Sequence, residues 1–165
     1  MAELLHSERL QPSLLDRLTD NAPNEHTESR EQRVLNFRQL RQCVLRDLSW
    51  LLNATALETM QSLTDKPLVA QSVLNYGMPV ISGTNLTNTN INKIERKIKA
   101  AIINFEPRIL ADSLKLTILT SDQMNHQAMS FNIEGLLWAQ PLPVHLYIRS
   151  DLDLETGEVS VRDMG

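Results

Sequence analysis

The sequence predicts an α+β fold, in which N-terminal helices precede a small, mainly antiparallel sheet that ends in a C-terminal hairpin. Two observations predict it. Apolar residues recur at helical spacing as far as Phe105, and beyond Arg108 they recur at every second position. Helices that come first, followed by neighbouring strands joined through loops, are typical of an α+β domain.

The composition is that of a globular protein. The chain has 165 residues, of which 42% are hydrophobic and 22% charged, with a net charge of −4. This length suits one domain with a tail, and the acidic balance argues against nucleic acid as a partner. Cys43 is the only cysteine, which excludes an internal disulfide and is compatible with a reducing compartment. Because no apolar run suits a signal peptide or a membrane span, we expect a cytoplasmic chain without direct membrane insertion.

Residues 1–33 are predicted to be an N-terminal docking segment followed by a flexible linker. Residues 10–18 form an apolar island in which Ser13 can cap a brief helix that carries Leu14, Leu15 and Leu18. Residues 19–33 are almost without apolar side chains, which is typical of a solvated linker. The island is either a docking peptide or a strap that folds back on the domain, and the sequence does not separate the two.

Two long amphipathic helices are predicted in the domain that follows, residues 34–165. The first ends near Asn53, and the second runs from about Asn88 to Asn104. Each carries an apolar stripe, which comprises Phe37, Leu40, Val44, Leu45, Leu48, Leu51 and Leu52 in the first helix and Ile91, Ile94, Ile98, Ala101, Ile102 and Phe105 in the second. The other face of the second helix is basic, which favours solvent or an acidic protein partner over nucleic acid because aromatic stacking residues are scarce.

The stretch between these helices contains shorter features. Leu57, Met60 and Leu63 indicate a shorter helix, and Gly77 and Pro79 mark a rigid irregular turn.

The C-terminal third alternates apolar and polar residues. Three such runs begin at Leu114, Met129 and Val144, and loops over residues 121–127 and 134–143 are predicted to connect them. Thr156-Gly157 then offers a tight turn into a final short strand over residues 158–162.

This last strand is predicted to lie at the edge of the sheet and to carry the candidate partner-binding residues Val159 and Val161. An edge strand offers N–H and C=O groups to a strand from another chain. The alternative is that neighbouring charges block the edge, namely Arg149, Asp151, Asp153, Glu155, Glu158 and Arg162.

The corner formed by Glu106, Pro107 and Arg108 directly follows the second helix. Pro107 fixes its own φ, lacks an N–H and disfavours the helical conformation for Glu106. A carboxylate and a guanidinium are therefore held at a stiff corner, which suits a fixed polar contact.

No catalytic, metal or cofactor signature is present. The five glycines are scattered, and the four histidines lack metal-ligand spacing. Cys43 has no histidine near it in sequence, which favours an inert buried thiol over a nucleophile. Glycoside hydrolysis needs two carboxylates, for which Glu106 and Asp112 can be nominated, but Arg108 favours the ionised form of Glu106 and opposes a role as general acid.

Several segments together resemble the TssE family of type VI secretion baseplate subunits, which is related to tailed-phage baseplate wedge proteins and was once labelled lysozyme-like. The segments are residues 13–18, 45–53, 72–79 and 102–110, with the regions around Phe131 and Thr156-Gly157. The resemblance covers nearly the whole chain in the order of the family. The Glu-Pro-Arg corner and the Asn-Tyr-Gly turn upstream of it are its strongest parts.

The resemblance implies a non-enzymatic structural subunit of the type VI baseplate wedge. It implies partners TssF, TssG and TssK, in a cytoplasmic baseplate docked at the inner membrane, and strand exchange with the sheath subunits TssB and TssC that primes sheath assembly. The motif that supports wedge assembly in the family maps onto Glu106, Pro107 and Arg108. Replacing Glu106 or Arg108 is then expected to abolish co-purification with the wedge and to leave the fold intact.

The full set of candidate partner-binding residues is Glu106, Pro107, Arg108, Val159, Val161, Leu14, Leu15 and Leu18. The lysozyme label of the family implies the alternative function, a peptidoglycan-cleaving hydrolase.

Overall fold

The computed structural model describes residues 13–19, 23–24, 36–80, 88–119, 128–139 and 142–165. Its helices and strands follow in the order α1 (Leu14–Leu18), α2 (Phe37–Asn53), α3 (Pro67–Ala70), α4 (Asn88–Phe105), β1 (Lys115–Leu119), β2 (Ala128–Leu137), β3 (Val144–Asp153) and β4 (Val159–Asp163). Helices therefore precede the sheet, which confirms the predicted α+β class. None of the described helices is long and apolar enough to cross a membrane. Most of the predicted linker and the predicted loop over residues 121–127 lie outside the described residues.

The four strands form one sheet in the order β1-β2-β3-β4, and every neighbouring pair is antiparallel. β4 lies at the edge of this sheet, as predicted. The turn into it is built by Asp153, whose carboxylate accepts hydrogen bonds from the backbone N–H groups of Glu155 and Thr156. Gly157 completes the turn at a φ of +77°, a conformation that favours glycine.

The prediction that a loop begins at residue 134 is wrong. β2 continues to Leu137, which pairs with Val144 of β3 on one side and forms a bridge with Ile109 on the other. Two neighbours stabilise this part of the strand although the sequence alternation stops at Gly135. An added Cβ at Gly135 would lie 3.1 Å from the Ile109 side chain, which would have to shift by a few tenths of an ångström to accept it.

The core lies between one face of the sheet and the apolar stripes of α2 and α4. Buried residues from the helices and strands include Leu40, Val44, Leu48, Leu51, Leu52, Ile94, Ile98, Ile102, Met129, Phe131, Ile133, Leu146, Ile148 and Val159. Asn36 caps α2 through a capping box with Gln39, which satisfies backbone N–H groups at the start of the helix. The shorter helix predicted around Leu57 is a single 3₁₀ turn, and Met60 is 81% exposed.

The segment after α2 turns sharply at Gly77, whose φ is +129°. The Met78 N–H donates to the Ala54 carbonyl at 2.7 Å, and the Met78 carbonyl accepts from the Ala56 N–H at 2.9 Å. A Cβ at Gly77 would lie 2.5 Å from the Ala54 carbonyl oxygen. Only glycine therefore fits this turn. The two hydrogen bonds of Met78 hold residues 76–79 against the residues that follow α2.

Candidate functional site

The Glu106-Pro107-Arg108 corner is fixed by backbone hydrogen bonds on both sides. The Glu106 N–H still donates to Ile102 in α4, at 2.8 Å, and exposed Pro107 ends the helix. Beyond it, the Arg108 carbonyl accepts from the Trp138 N–H at 2.7 Å, just after the end of β2. The corner is thus fastened to the helix before it and to the strand beside it.

Glu106 and Arg108 form a close ion pair within the corner. Glu106 is 2% exposed, and its Oε1 accepts from Arg108 Nε at 2.7 Å and from the Arg108 backbone N–H at 3.2 Å. Its Oε2 accepts from Arg108 Nη2 at 2.6 Å. Burial of Arg108 opposes its charged form, but the hydrogen bonds and charges of Glu106 and Asp47 outweigh burial and raise the pKa of the guanidinium.

The ion pair belongs to a larger set of alternating charges, which we call the charge network. Its members are Glu106, Arg108, Asp47, Arg46 and Asp16. Arg108 Nη2 also donates to Asp47 Oδ2, and Asp47 Oδ1 accepts from Arg46 Nε at 2.9 Å. Arg46 Nη1 in turn lies 2.8 Å from Asp16 Oδ1. The charge network therefore connects the exit of α4 to α2 and then to α1.

Polar contacts hold α1 in place, since none of its residues is buried. Asp16 forms a capping box with Ser13 at the start of the helix. Burial raises the pKa of Asp16, but hydrogen bonds from Ser13, Arg46 and Cys43 outweigh burial and lower it overall. Burial, followed by the charge of Asp16, raises the pKa of the Cys43 thiol, which disfavours the nucleophilic thiolate.

An open groove of about 490 Å³ is lined by three members of the charge network, Asp47, Glu106 and Arg108. We call it the corner groove. Its lining residues are Ser13, Leu15, Asp47, Trp50, Leu51, Tyr76, Phe105, Glu106, Pro107 and Arg108. Trp50 is 52% exposed and stacks under the Arg46 guanidinium, 5.0 Å from the ring centroid. The rings of Tyr76 and Phe105 meet edge to face at 5.3 Å. The corner groove is thus lined both by aromatic side chains and by the charged side chains of Asp47, Glu106 and Arg108.

The structure brings some of the predicted site residues together and separates others. Leu15 and all three corner residues line the corner groove, although the sequence treated the leucine island and the corner as independent elements. Leu14 and Leu18 are exposed on α1 and do not line the groove.

The other two predicted residues, Val159 and Val161, lie in β4. The Val159 side chain is 3% exposed, and Val161 packs against the core. The two backbone groups of Val159 are hydrogen-bonded to Asn53 of α2. The charges proposed to block this edge include Asp151 and Asp153, which have other partners: Asp151 accepts from Ser130, and Asp153 holds the turn.

Sequence reasoning missed most of the charge network, together with Trp50, Tyr76 and Asn53. Arg46 and Asp47 lie off the apolar stripe of α2, where charged residues normally face solvent. The ion pair between Asp47 and Arg108 joins residues 61 positions apart, and sequence periodicity does not predict a contact at that separation. An adjacent pair of opposite charges beside a buried stripe is the one signal available.

The arrangement does not resemble a pair of glycosidase carboxylates. Both oxygens of Glu106 accept hydrogen bonds from Arg108, and Asp112 is exposed in the 3₁₀ turn Ala111–Ser113. Within the part of the chain that the structure describes, no three His, Cys, Asp or Glu side chains are grouped so as to hold a metal ion.

A known protein family matches most of the chain. The family described as "Baseplate wedge protein gp25" matches residues 38–142, which include α2 except for Phe37, α4, the corner, β1 and β2. No curated protein and no solved structure matches the chain. The matched region is well over half of the sequence and contains the residues of the charge network except Asp16. The chain therefore belongs to the gp25 family of baseplate wedge proteins of phage-tail-like assemblies.

Proposed function

We propose that the chain is a non-enzymatic structural subunit of a type VI secretion baseplate wedge. In this role it binds TssF and TssG, with TssK in the same assembly, and primes assembly of the TssB–TssC sheath by strand exchange. The baseplate would lie in the cytoplasm, docked at the inner membrane. Family membership supports the baseplate role, and the resemblance of the quoted segments to TssE supports the type VI system.

The corner groove is the observation that carries this proposal. Trp50, Leu15 and Pro107 present apolar surface on one side of the molecule, and clustered exposed apolar residues are typical of protein interfaces. A tryptophan is also among the residues that contribute most to binding energy at interfaces.

The charge network supports the same proposal because it keeps the groove in shape before binding. Arg108 is tied to Glu106 and Asp47, so its guanidinium does not have to be ordered when a partner docks. Pre-ordering of this kind lowers the entropic cost of association. In this proposal Glu106 acts by positioning Arg108, and the partner touches the exposed part of Arg108 together with Pro107.

Strand exchange at β4 is the second part of the proposal. β4 is an edge strand whose Val159 and Val161 side chains face the core, so a strand added beside it would extend the same apolar layer. This part rests on the resemblance, because the family match ends at residue 142, before β3.

Two assays test the proposal. Co-expression of the chain with TssF and TssG from the same system is expected to yield a complex that survives size-exclusion chromatography. Polymerisation of TssB–TssC on this complex is expected to start only when the chain is present. A wedge that assembles equally well without the chain, or sheath growth that does not depend on it, would overturn the proposal.

A further inference from the structure

The side chain of Asn53 occupies the place of a neighbouring strand at the edge of the sheet. Asn53 is the last residue of α2. Its Oδ1 accepts from the Val159 backbone N–H at 2.9 Å, and its Nδ2 donates to the Val159 carbonyl at 2.9 Å. A carboxamide has the same donor and acceptor as a peptide group, so this contact copies one rung of a β-ladder.

The two groups that Asn53 binds are those that point away from the sheet. The Glu158 carbonyl accepts from Asp153 at 2.9 Å, and the Met164 N–H donates to Tyr147 at 3.0 Å, so these even-numbered residues face β3. Backbone groups alternate in an antiparallel pair, which directs those of Val159 and Val161 outward. A strand that joins β4 across its full length therefore needs the position that Asn53 holds.

A small pocket of about 230 Å³ lies directly beside this contact. Asn53 and Val159 both line it, together with the buried side chains of Leu52, Met78 and Leu152. Residues directly opposite each other in a ladder direct their side chains to the same face. The residue of an added strand opposite Val159 would thus face the core side, close to Leu52, Met78 and Leu152, in a pocket that Thr55 and Thr156 also line.

We propose that Asn53 is a latch on the outer edge of β4, and that the strand that replaces it carries an apolar residue opposite Val159. This inference rests on the proposed strand exchange and adds that Asn53 controls the access of another strand to the edge of β4. While the latch is closed, the edge is protected from unwanted strands, which is a recurrent need of exposed edges. When it opens, Asn53 Nδ2 keeps its hydrogen bond to the Ser49 carbonyl, now at 2.8 Å, so the released amide is not left without a partner.

The latch is tested by measuring the affinity of purified TssB–TssC for the chain below the concentration at which the sheath polymerises. Asn53→Ala removes both hydrogen bonds to Val159 and is expected to tighten binding about tenfold, which corresponds to about 1.4 kcal/mol. Asn104→Ala, the same change at an exposed position near the end of α4, is expected to leave the affinity unchanged.

The outcomes of this experiment distinguish a failure of the latch from a failure of the proposed strand exchange. Equal affinities for the wild-type chain and Asn53→Ala would overturn the latch and leave strand exchange intact. Absence of binding by both chains would overturn strand exchange and the latch with it. Replacing the sheath residue opposite Val159, once located by cross-linking, with Asp is expected to weaken binding at least tenfold; an unchanged affinity would contradict the apolar requirement.

Amide hydrogen exchange of the wild-type chain tests the latch without any variant. The Val159 amide is expected to exchange at least tenfold more slowly than the outward-facing Val161 amide. On addition of TssB–TssC, the Val161 amide is expected to become protected. A Val159 amide that exchanges as fast as Val161 in the free chain would show that the latch is not closed in solution.

Discussion

Arg108 and Asp47 lie 61 residues apart and are joined by a direct ion pair, in which Nη2 of Arg108 donates to Oδ2 of Asp47. The same guanidinium holds both oxygens of Glu106. One side chain therefore ties the exit of α4 to the middle of α2. The stiff corner, which the sequence indicates as a place for a polar contact, makes that contact inside the molecule and leaves Pro107 and part of Arg108 at the surface.

The first prediction concerns the stability of this ion pair. Glu106→Gln and Arg108→Met are each expected to lower the free energy of unfolding by about 3 kcal/mol. Glu106→Gln removes the buried carboxylate charge that faces Arg108, and Arg108→Met leaves the buried Glu106 carboxylate without its partner. The double variant is expected to lose clearly less than the sum. Urea denaturation measures the free energy of unfolding of the two single variants and the double variant.

The exposed pair of Lys97 and Glu58, at 2.8 Å, serves as the control. Lys97→Met is expected to cost less than about 1 kcal/mol. Strictly additive losses at Glu106 and Arg108 would contradict a coupled pair. The burial of Glu106 also changes the expectation, drawn from sequence alone, that these substitutions leave the fold intact.

The second prediction concerns the pH dependence of α1. The pKa of Asp16 is lower in the folded chain than the ordinary value of 3.8. Its contribution to stability is therefore fully present above pH 3.8 and is lost as the pH falls through the lower, folded pKa. We expect the fluorescence of Trp50, which stacks with Arg46, to change in that range in a Trp138→Phe background. Asp16→Asn should remove this transition, and its persistence would assign it to another group.

The third prediction compares two glycines with positive φ. Gly77→Ala places a Cβ 2.5 Å from the Ala54 carbonyl oxygen, whereas a Cβ at Gly157 meets no atom within 4 Å. We expect Gly157→Ala to cost about 1 kcal/mol, the ordinary penalty of the left-handed conformation. Gly77→Ala is expected to cost at least twice as much, because backbone has to move. Thermal unfolding measures both, and equal losses would contradict the close approach.

The fourth prediction concerns Ser150, whose hydroxyl is fully buried in β3. Among the described residues it has no hydrogen-bond partner. Ser150→Ala is therefore expected to leave the free energy of unfolding within about 0.5 kcal/mol of the wild type, or to raise it. Ser130→Ala, which breaks a bond of 2.6 Å to Asp151, is expected to lower it by about 1 kcal/mol. A comparable loss at Ser150 would indicate a partner for its hydroxyl.

Periodicity predicted the long elements of the fold well. The apolar stripes of α2 and α4 and the alternation of three strands are local patterns, and each faces the core that the structure shows. Phe37, which was predicted to belong to the stripe of α2, is the exception, because it lies exposed at the start of the helix. The end of β2 was missed because Gly135 interrupts the alternation and the pairing that holds it comes from Val144 and Ile109. Such tertiary pairing produces no local pattern in the sequence from which it could be predicted.

The candidate site was predicted less completely than the fold. Pro107 has strong local effects, and its position next to two charges was sufficient to identify the corner. The partners of those charges, Asp47 and Arg46, and the groove wall at Trp50 depend on how α1 and α2 pack against α4. The same applies to Asn53, since a helix-terminal asparagine gives no sign of the strand that it caps.

If the corner groove binds the wedge, the affinity of the purified chain for a TssF–TssG complex must depend on the residues that line it. Trp50→Ala, which leaves the hydrogen bonds of the Glu106–Arg108 pair in place, is expected to weaken binding at least thirtyfold, about 2 kcal/mol. Trp138→Ala removes a tryptophan of similar exposure, 54% against 52%, that does not line the groove, and is expected to bind like the wild type. Wild-type affinity of a correctly folded Trp50→Ala chain would show that the corner groove does not bind the wedge.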